Sequence, residues 1–193
     1  MKRKVEAKLL AWKDKPERLP LIIQGARQVG KTFTITNFGK DQYKNIVALN
    51  FESHPDIAKI FELDLSPERI IKELSIYSAS SIFEKDTLIF FDEIQASEKA
   101  LSSLKYFAEQ APGYHVIAAG SLLGVAINRK EFSYPVGKVE HMTIHPMDFE
   151  EYLWAVGQVK AVSVIRDSFK ENKTSGIHKT LLNYHEQYTF TGG

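Results

Sequence analysis

Residues 25 to 32 read Gly-Ala-Arg-Gln-Val-Gly-Lys-Thr, which fills every fixed position of the pattern G-x-x-x-x-G-K-T. An apolar run from Leu19 to Ile23 precedes this stretch, and residues Lys31 to Phe38 can form a helix. A strand, a glycine-containing turn and a helix start together predict a phosphate-binding loop, because backbone N–H groups and the positive end of the helix dipole then face one anion. The alternative is a turn of the same shape without a chemical role.

The pattern predicts a task for most positions of this loop. Gly25 and Gly30 are expected to let the backbone curl without a Cβ clash. Lys31 is expected to contact the β- and γ-phosphates, and the Thr32 hydroxyl is expected to bind Mg²⁺. The predicted nucleotide-contacting stretch comprises Gly25, Ala26, Arg27, Gln28, Val29, Gly30, Lys31, Thr32 and Phe33.

Composition limits the class of protein. The 193 residues are 44% apolar and 25% charged, with a net charge of +1, which is the balance of an ordinary globular domain. A near-neutral charge argues against a broad nucleic-acid-binding face or a polybasic membrane anchor. The absence of cysteine excludes disulfides, iron–sulfur clusters and thiol nucleophiles. The charged N-terminus does not have the pattern of a secretory signal, and the longest low-polarity run, residues 116–127, is too short to span a bilayer, so we expect a cytoplasmic protein.

Candidate strands alternate with candidate helices along the chain. The strands are predicted at residues 21–24, 45–51, 87–91, 114–119 and 139–144, and an amphipathic leader helix is predicted from Val5, Leu9 and Trp12. This alternation predicts an α/β fold of three layers, with a five-stranded, mostly parallel sheet between helices. We expect the strand order 5-1-4-3-2 and a binding site at the carboxyl ends of the strands.

Two acids follow the third predicted strand. Leu88 to Phe91 are apolar, and Asp92 and Glu93 come directly after them, at the edge of the sheet where the phosphate-binding loop is expected. Asp92 is predicted to hold Mg²⁺ together with Thr32, and Glu93 to polarise a water for attack on the γ-phosphorus. A solvated turn with two surface acids is the alternative.

A further polar residue is expected between these two groups. The fourth strand ends at Gly120-Ser121, and a strand inserted between the loop strand and the Asp92 strand would place Ser121 beside both. Its hydroxyl is predicted to contact the γ-phosphate or the attacking water; a plain Gly-Ser turn is the alternative.

A GTPase would need the motif Asn-Lys-x-Asp, and the nearest candidate, residues 172–175, lacks the Asp.

Several stretches together resemble a prokaryotic family of AAA-superfamily ATPases. They are GARQVGKT, LNFE at residues 49–52, FFDEIQ, the Ala119-Gly120-Ser121 step, FSYPVGKV and HPMDFEEYL. The resemblance implies a P-loop ATPase core in which Gly25, Gly30, Lys31 and Thr32 bind phosphates, Asp92 binds magnesium and Glu93 is catalytic. It also implies that Ser121 is the polar sensor. Gln95 lies in the D-E-I-Q stretch without a role implied for it.

Two positions differ from the family pattern. The family usually has Arg after P-V-G, where this chain has Lys138, and Lys lacks the two-pronged hydrogen bonding of Arg. The chain ends at Gly192-Gly193, where the family normally continues into a C-terminal domain. We therefore expect three segments: an N-terminal helix and connector at 1–18, the ATPase core at 19–157, and a helical region at 158–193 that starts a truncated part.

The resulting functional hypothesis is binding of ATP·Mg²⁺ and its hydrolysis to ADP and phosphate, coupled to a conformational change. The alternative is a nucleotide-dependent binding switch with slow turnover that acts on a protein or nucleic-acid partner; a kinase is a third, less favoured class. The preference for ATP over GTP stays open because no base-reading motif is visible, and an oligomer is compatible with the sequence. Arg129 is either an arginine finger or a solvated loop charge.

Overall fold

The computed structural model describes residues 2–121 and 135–191. Its strands are Leu21–Gln24 (β1), Asn45–Asn50 (β2), Thr87–Asp92 (β3), His115–Gly120 (β4) and Glu140–Thr143 (β5). They form one sheet in the order β2-β3-β4-β1-β5, and every pairing is parallel. The predicted α/β fold, with a five-stranded sheet in the order 5-1-4-3-2, is confirmed.

Helices connect and flank these strands. The α-helices of the described residues are Val5–Lys13 (α1), Lys31–Gln42 (α2), Pro67–Tyr77 (α3), Glu98–Gln110 (α4), Phe149–Ala155 (α5), Val159–Glu171 (α6) and His178–Thr191 (α7). Two short 3₁₀ segments cover Pro55–Phe61 and Ile94–Ala96. A side-chain cap fixes the start of α4, because Ser97 Oγ accepts a hydrogen bond from the backbone N–H of Ala100 at 3.2 Å.

Helix α2 extends beyond Phe38, where the helical stretch identified from the sequence ends. Gly39 lies inside it, and a Cβ at that position would lie 2.5 Å from Cδ1 of Ile46 on β2. The glycine therefore lets the helix backbone approach the sheet more closely than any other residue would. Pro55–Phe61 forms a 3₁₀ helix, a form that proteins use for short connections.

The core lies on both faces of the two central strands. All residues of β3 and β4 are buried, which is the pattern of strands with helices on each side. On one face, Phe51, Phe61 and Phe91 pack with their ring centroids 5.7 Å apart, and Phe107 of α4 lies 6.3 Å from Phe91. This aromatic cluster packs the Phe91 side of β3 against α4.

The chain divides into two compact units. The larger comprises residues 8–144 and contains the sheet; the other comprises residues up to 7 and from 145 onward. In the second unit the buried Arg3 and Glu151 form an ion pair at 3.2 Å, and Asp148 and Glu151 form a capping box at the start of α5. The division into segments 1–18, 19–157 and 158–193 stays a prediction. Across the described ranges, no helix combines the length and apolarity needed to cross a bilayer.

Candidate functional site

The loop between β1 and α2 carries the sequence pattern that opened the sequence analysis. β1 ends at Gln24, and α2 begins at Lys31. Gln28 and Gly30 have positive φ angles of 64° and 85°, so the chain turns through the left-handed region twice before the helix. The N–H of Thr34 donates to the carbonyl of Gly30 at 2.9 Å and closes the first helical turn. The first N–H groups of α2 have no partner inside the helix, and they open toward the loop.

Gly25 is required by a close backbone contact. A Cβ on this residue would lie 2.3 Å from the carbonyl oxygen of Ile144, which follows β5. The same region is held by a hydrogen bond from the N–H of Ile144 to the carbonyl of Gln24 at 2.8 Å. The start of the loop is thus fixed against the last strand of the sheet, and any side chain at position 25 disturbs that contact.

The side chain of Lys31 lies folded against the loop that precedes it. Its Nζ donates to the carbonyl oxygens of Gly25 at 2.9 Å and Ala26 at 2.7 Å, and the residue is 6% exposed. Burial lowers the pKa of Lys31, while the charges of Glu93 and Asp92 act in the opposite direction. Both carboxylates therefore act electrostatically on this lysine.

Asp92 accepts hydrogen bonds from two other segments of the chain. Its Oδ2 accepts from Thr32 Oγ1 at 2.9 Å and from Asn50 Nδ2 at 3.1 Å, and the residue is 5% exposed. Thr32 and Asp92 are 60 residues apart in sequence, so the fold brings together the predicted pair of Mg²⁺ ligands. Hydroxyl and carboxylate oxygens are the ligand types that Mg²⁺ prefers.

Within the described residues, no three His, Cys, Asp or Glu side chains gather into a metal site. In nucleotide sites, the protein supplies one or two ligands to Mg²⁺, and phosphate oxygens and water supply the others. The donor set of Thr32 and Asp92 therefore fits a magnesium ion that arrives with a nucleotide.

Glu93 stands at a sharp change of backbone direction. Its φ and ψ are 51° and 43°, a left-handed conformation that is uncommon for a residue with a side chain. Its N–H donates to Asp92 Oδ1 at 3.2 Å, and its Oε2 accepts from Gln95 Nε2 at 2.5 Å. The turn therefore gives the two neighbouring acids different side-chain partners: Asp92 bonds to Thr32, and Glu93 bonds to Gln95.

Ser121 directly follows β4, whose last residue, Gly120, pairs with Gln24 of β1. It lies at the same carboxyl edge of the sheet as the phosphate-binding loop, which is where the sequence predicts it. Its Oγ is buried and has no hydrogen-bond partner among the residues that the structure describes. A buried hydroxyl that lacks a partner in this way is available to a ligand atom or a water.

The remaining residues of the predicted nucleotide-contacting stretch differ in exposure. Ala26, Arg27 and Gln28 are exposed, Phe33 is 51% exposed, and the side chain of Val29 is buried. The side chain of Val29 is thus part of the core, so only its backbone can face a ligand. The exposed side chains of Arg27 and Phe33 leave both free to contact a bound molecule.

Sequence reasoning did not assign roles to Asn50 and Gln95, which contact the two acids. The signal for Asn50 is available in the predicted strand order, because β2 lies beside β3 and their last residues, Asn50 and Asp92, are register partners. No comparable signal exists for Gln95, since its contact depends on the left-handed turn at Glu93.

Lys138 lies away from these groups. It precedes β5 by two residues, at the amino edge of the sheet, and its Nζ pairs with Glu109 near the end of α4 at 2.9 Å. This hydrogen bond lowers the pKa of Glu109. Lys138 therefore pairs with the last turn of α4 in this structure. Arg129, the other cation considered from sequence, lies outside the described residues.

Comparison with known proteins identifies the fold. The sequence matches the family described as "AAA domain" over residues 17–153. The structure is similar to that of the Walker-type ATPase PABY2304 of Pyrococcus abyssi, with 15% identity, a TM-score of 0.56 and coverage of 97% of this chain and 62% of that chain.

The ADP form of the Aeropyrum pernix ORC2 protein is similar at 15% identity and a TM-score of 0.52, with coverage of 82% of this chain and 52% of that one. Drosophila ORC bound to DNA is similar at 14% identity and a TM-score of 0.51, with coverage of 87% and 49%. The chain thus spans about half to two thirds of the length of these proteins. No curated protein matches the chain.

Proposed function

The chain belongs to the AAA-domain family, and from this premise we propose that it binds ATP with Mg²⁺ and hydrolyses it to ADP and phosphate. The observation that carries the proposal is the hydrogen bond between Thr32 and Asp92, which joins the phosphate-binding loop to the acid pair across 60 residues of sequence. A solvated turn with two surface acids would have no reason to hold a buried carboxylate against this loop.

In this proposal the loop binds the phosphates. Backbone N–H groups from Gly25 to Thr32 and the start of α2 contact the phosphate oxygens, and the cationic Nζ of Lys31 contacts the β- and γ-phosphates. Thr32 and Asp92 hold the Mg²⁺, directly or through water. When bound, the ion neutralises the negative charge that the phosphates develop during the reaction.

Hydrolysis in this scheme uses Glu93 and Ser121. The Glu93 carboxylate accepts a proton from the water that attacks the γ-phosphorus, and the left-handed turn fixes the backbone of this residue directly after Asp92. The Oγ of Ser121, buried and without a partner in the described chain, hydrogen-bonds the γ-phosphate or the attacking water. Alignment of these groups, rather than covalent chemistry, supplies the catalysis.

The contacts of Lys31 with its own loop support coupling to a conformational change. Its Nζ is bonded to the carbonyl oxygens of Gly25 and Ala26, and those bonds must break before the lysine can reach a phosphate. The same requirement supports the slow-turnover switch as a second candidate, acting on a protein or nucleic-acid partner. Drosophila ORC, similar in fold, is a DNA-bound assembly, but the near-neutral charge of this chain gives no specific support for DNA.

One assay tests the proposal. Phosphate release from ATP is measured for the wild-type chain, for Glu93→Gln and for Lys31→Ala. We expect Glu93→Gln to bind ATP normally and to lose ~10²-fold or more in rate, the scale of a general base. Lys31→Ala should lose ATP binding. A wild-type rate no greater than that of Glu93→Gln rejects hydrolysis, and unchanged ATP affinity in Lys31→Ala rejects the assigned phosphate contacts.

A further inference from the structure

The turn after β3 places two side chains next to each other. The N–H of Ala96 donates to the carbonyl of Glu93 at 3.0 Å, and the N–H of Ser97 donates to that of Ile94, also at 3.0 Å. Ile94 between them is completely buried and anchors the turn in the core. Because the backbone is held on both sides, Glu93 and Gln95 project from a rigid support rather than from a mobile loop.

The hydrogen bond between these side chains has a defined donor and acceptor. Gln95 Nε2 donates to Glu93 Oε2 at 2.5 Å. An ionised carboxylate only accepts hydrogen bonds, so the amide group must present its nitrogen to Glu93, and its oxygen points elsewhere. Glu93 Oε1 accepts no hydrogen bond from the described residues, so one carboxylate oxygen is held while the other stays available.

A second observation concerns the amide oxygen of Gln95. Its Oε1 is buried and has no hydrogen-bond partner among the residues that the structure describes. Leaving a buried acceptor unpaired is unfavourable, so this oxygen is expected to take a donor from outside the described protein groups. Water is the simplest donor, and it is also the species that Glu93 must receive.

We propose that Gln95 is a positioning residue for the hydrolytic step, a role that rests on the proposed function. Its N–H₂ group holds one oxygen of Glu93 so that the other oxygen faces the attacking water, and its buried Oε1 accepts a hydrogen bond from the water layer around that carboxylate. Gln95 itself contacts neither the phosphates nor the metal. Its loss therefore slows the chemical step and leaves nucleotide binding unchanged.

The test is a double-mutant cycle on single-turnover phosphate release, with ATP affinity measured separately. Gln95→Met keeps the length of the side chain and removes the donor and the acceptor. We expect it to lower the rate by about tenfold or more, as for other groups that orient a functional side chain, with ATP affinity unchanged. In the Glu93→Gln background, the same substitution should have little further effect, because Gln95 acts through Glu93.

Control variants distinguish a failure of this inference from misfolding and from a failure of the proposed function. Gln42→Met alters another half-buried glutamine, at the far end of α2, and should leave the rate unchanged. Gln95→Glu keeps the shape without the donor and should also be slow, which covers the case in which Gln95→Met does not fold. A Gln95→Met rate equal to wild type, or an equal loss with and without Glu93, overturns the inference. A wild-type chain without phosphate release rejects the proposed function, and the inference falls with it.

Discussion

Substitution of Gly25 by Ala tests whether the loop geometry is necessary. The added Cβ would lie 2.3 Å from the carbonyl oxygen of Ile144, whereas ordinary contacts of this kind begin near 3.4 Å. The shortfall is 1.1 Å. This oxygen belongs to the backbone, so no side-chain rotation can relieve the clash. Either the start of the phosphate-binding loop or the segment after β5 must move.

The size of this displacement determines how much folding stability and function Gly25→Ala should lose. Overpacking of this kind costs ~1–3 kcal/mol of folding free energy, which for a chain of this length lowers Tm by ~2–4 °C for each kcal/mol. A shift of ~1 Å in groups that must align costs ~10²-fold in a reaction rate. Because the moving segment carries the loop carbonyl that Lys31 contacts, we expect ATP affinity to fall together with stability.

Thermal unfolding and ATP titration of Gly25→Ala measure the two effects. Gly176→Ala is the matched control, because its φ is not in the left-handed region and nothing lies within 4 Å of the Cβ position. The control should melt and bind ATP as the wild type does. If Gly25→Ala also behaves as the wild type, the contact with Ile144 does not constrain the loop, and the role assigned to Gly25 is wrong.

Two further predictions follow from buried polar contacts. His115 is buried against the Tyr43 hydroxyl at 2.7 Å, and burial, followed by the charge of Arg18, lowers its pKa to about 4. This folded-state pKa lies below the usual histidine pKa of about 6.5, so the unfolded chain takes up the proton first as the pH falls. Stability should therefore be lost between pH ~6.5 and ~4, by ~3 kcal/mol in total. Urea unfolding across this range should show the loss in the wild type and a flatter profile in His115→Gln; parallel profiles would contradict the assignment. Asn50→Ala removes one of the two donors to Asp92 Oδ2, and we expect it to raise the Mg²⁺ concentration needed for half-maximal phosphate release by ~10-fold, with metal-free ATP binding unchanged. Asn45→Ala, at the other end of the same strand, is the control, and an equal Mg²⁺ requirement in both variants would rule out a role for Asn50 at the metal.

The sequence alone was sufficient to predict that the main residues of the candidate site lie together. A loop pattern after one buried strand and two acids after another predict a shared edge, because the carboxyl ends of parallel strands meet there. The structure places Lys31, Thr32, Asp92 and Ser121 at that edge in the predicted order of strands. Strong periodicity and a specific motif supported each step, so no tertiary information was needed.

The contacts around the acids depend on geometry that a sequence does not record. Glu93 adopts a left-handed conformation without being glycine, and only this conformation makes Gln95 its neighbour. Gly39 shows the same limit for a helix boundary: glycine normally weakens a helix, yet here close packing against Ile46 compensates for it. Lys31 donates to two carbonyl oxygens of its own loop, a contact that the motif does not predict.

All the candidate groups lie on one edge of the sheet, and this leaves the opposite edge open to modification. The connections there, at residues 43–44, 78–86 and 111–114, carry none of the candidate residues. Since the chain has no cysteine, a single thiol placed at the exposed Ser81 is a unique attachment point for a fluorophore or a surface tether. A label at this position reports on the chain without obstructing the candidate site.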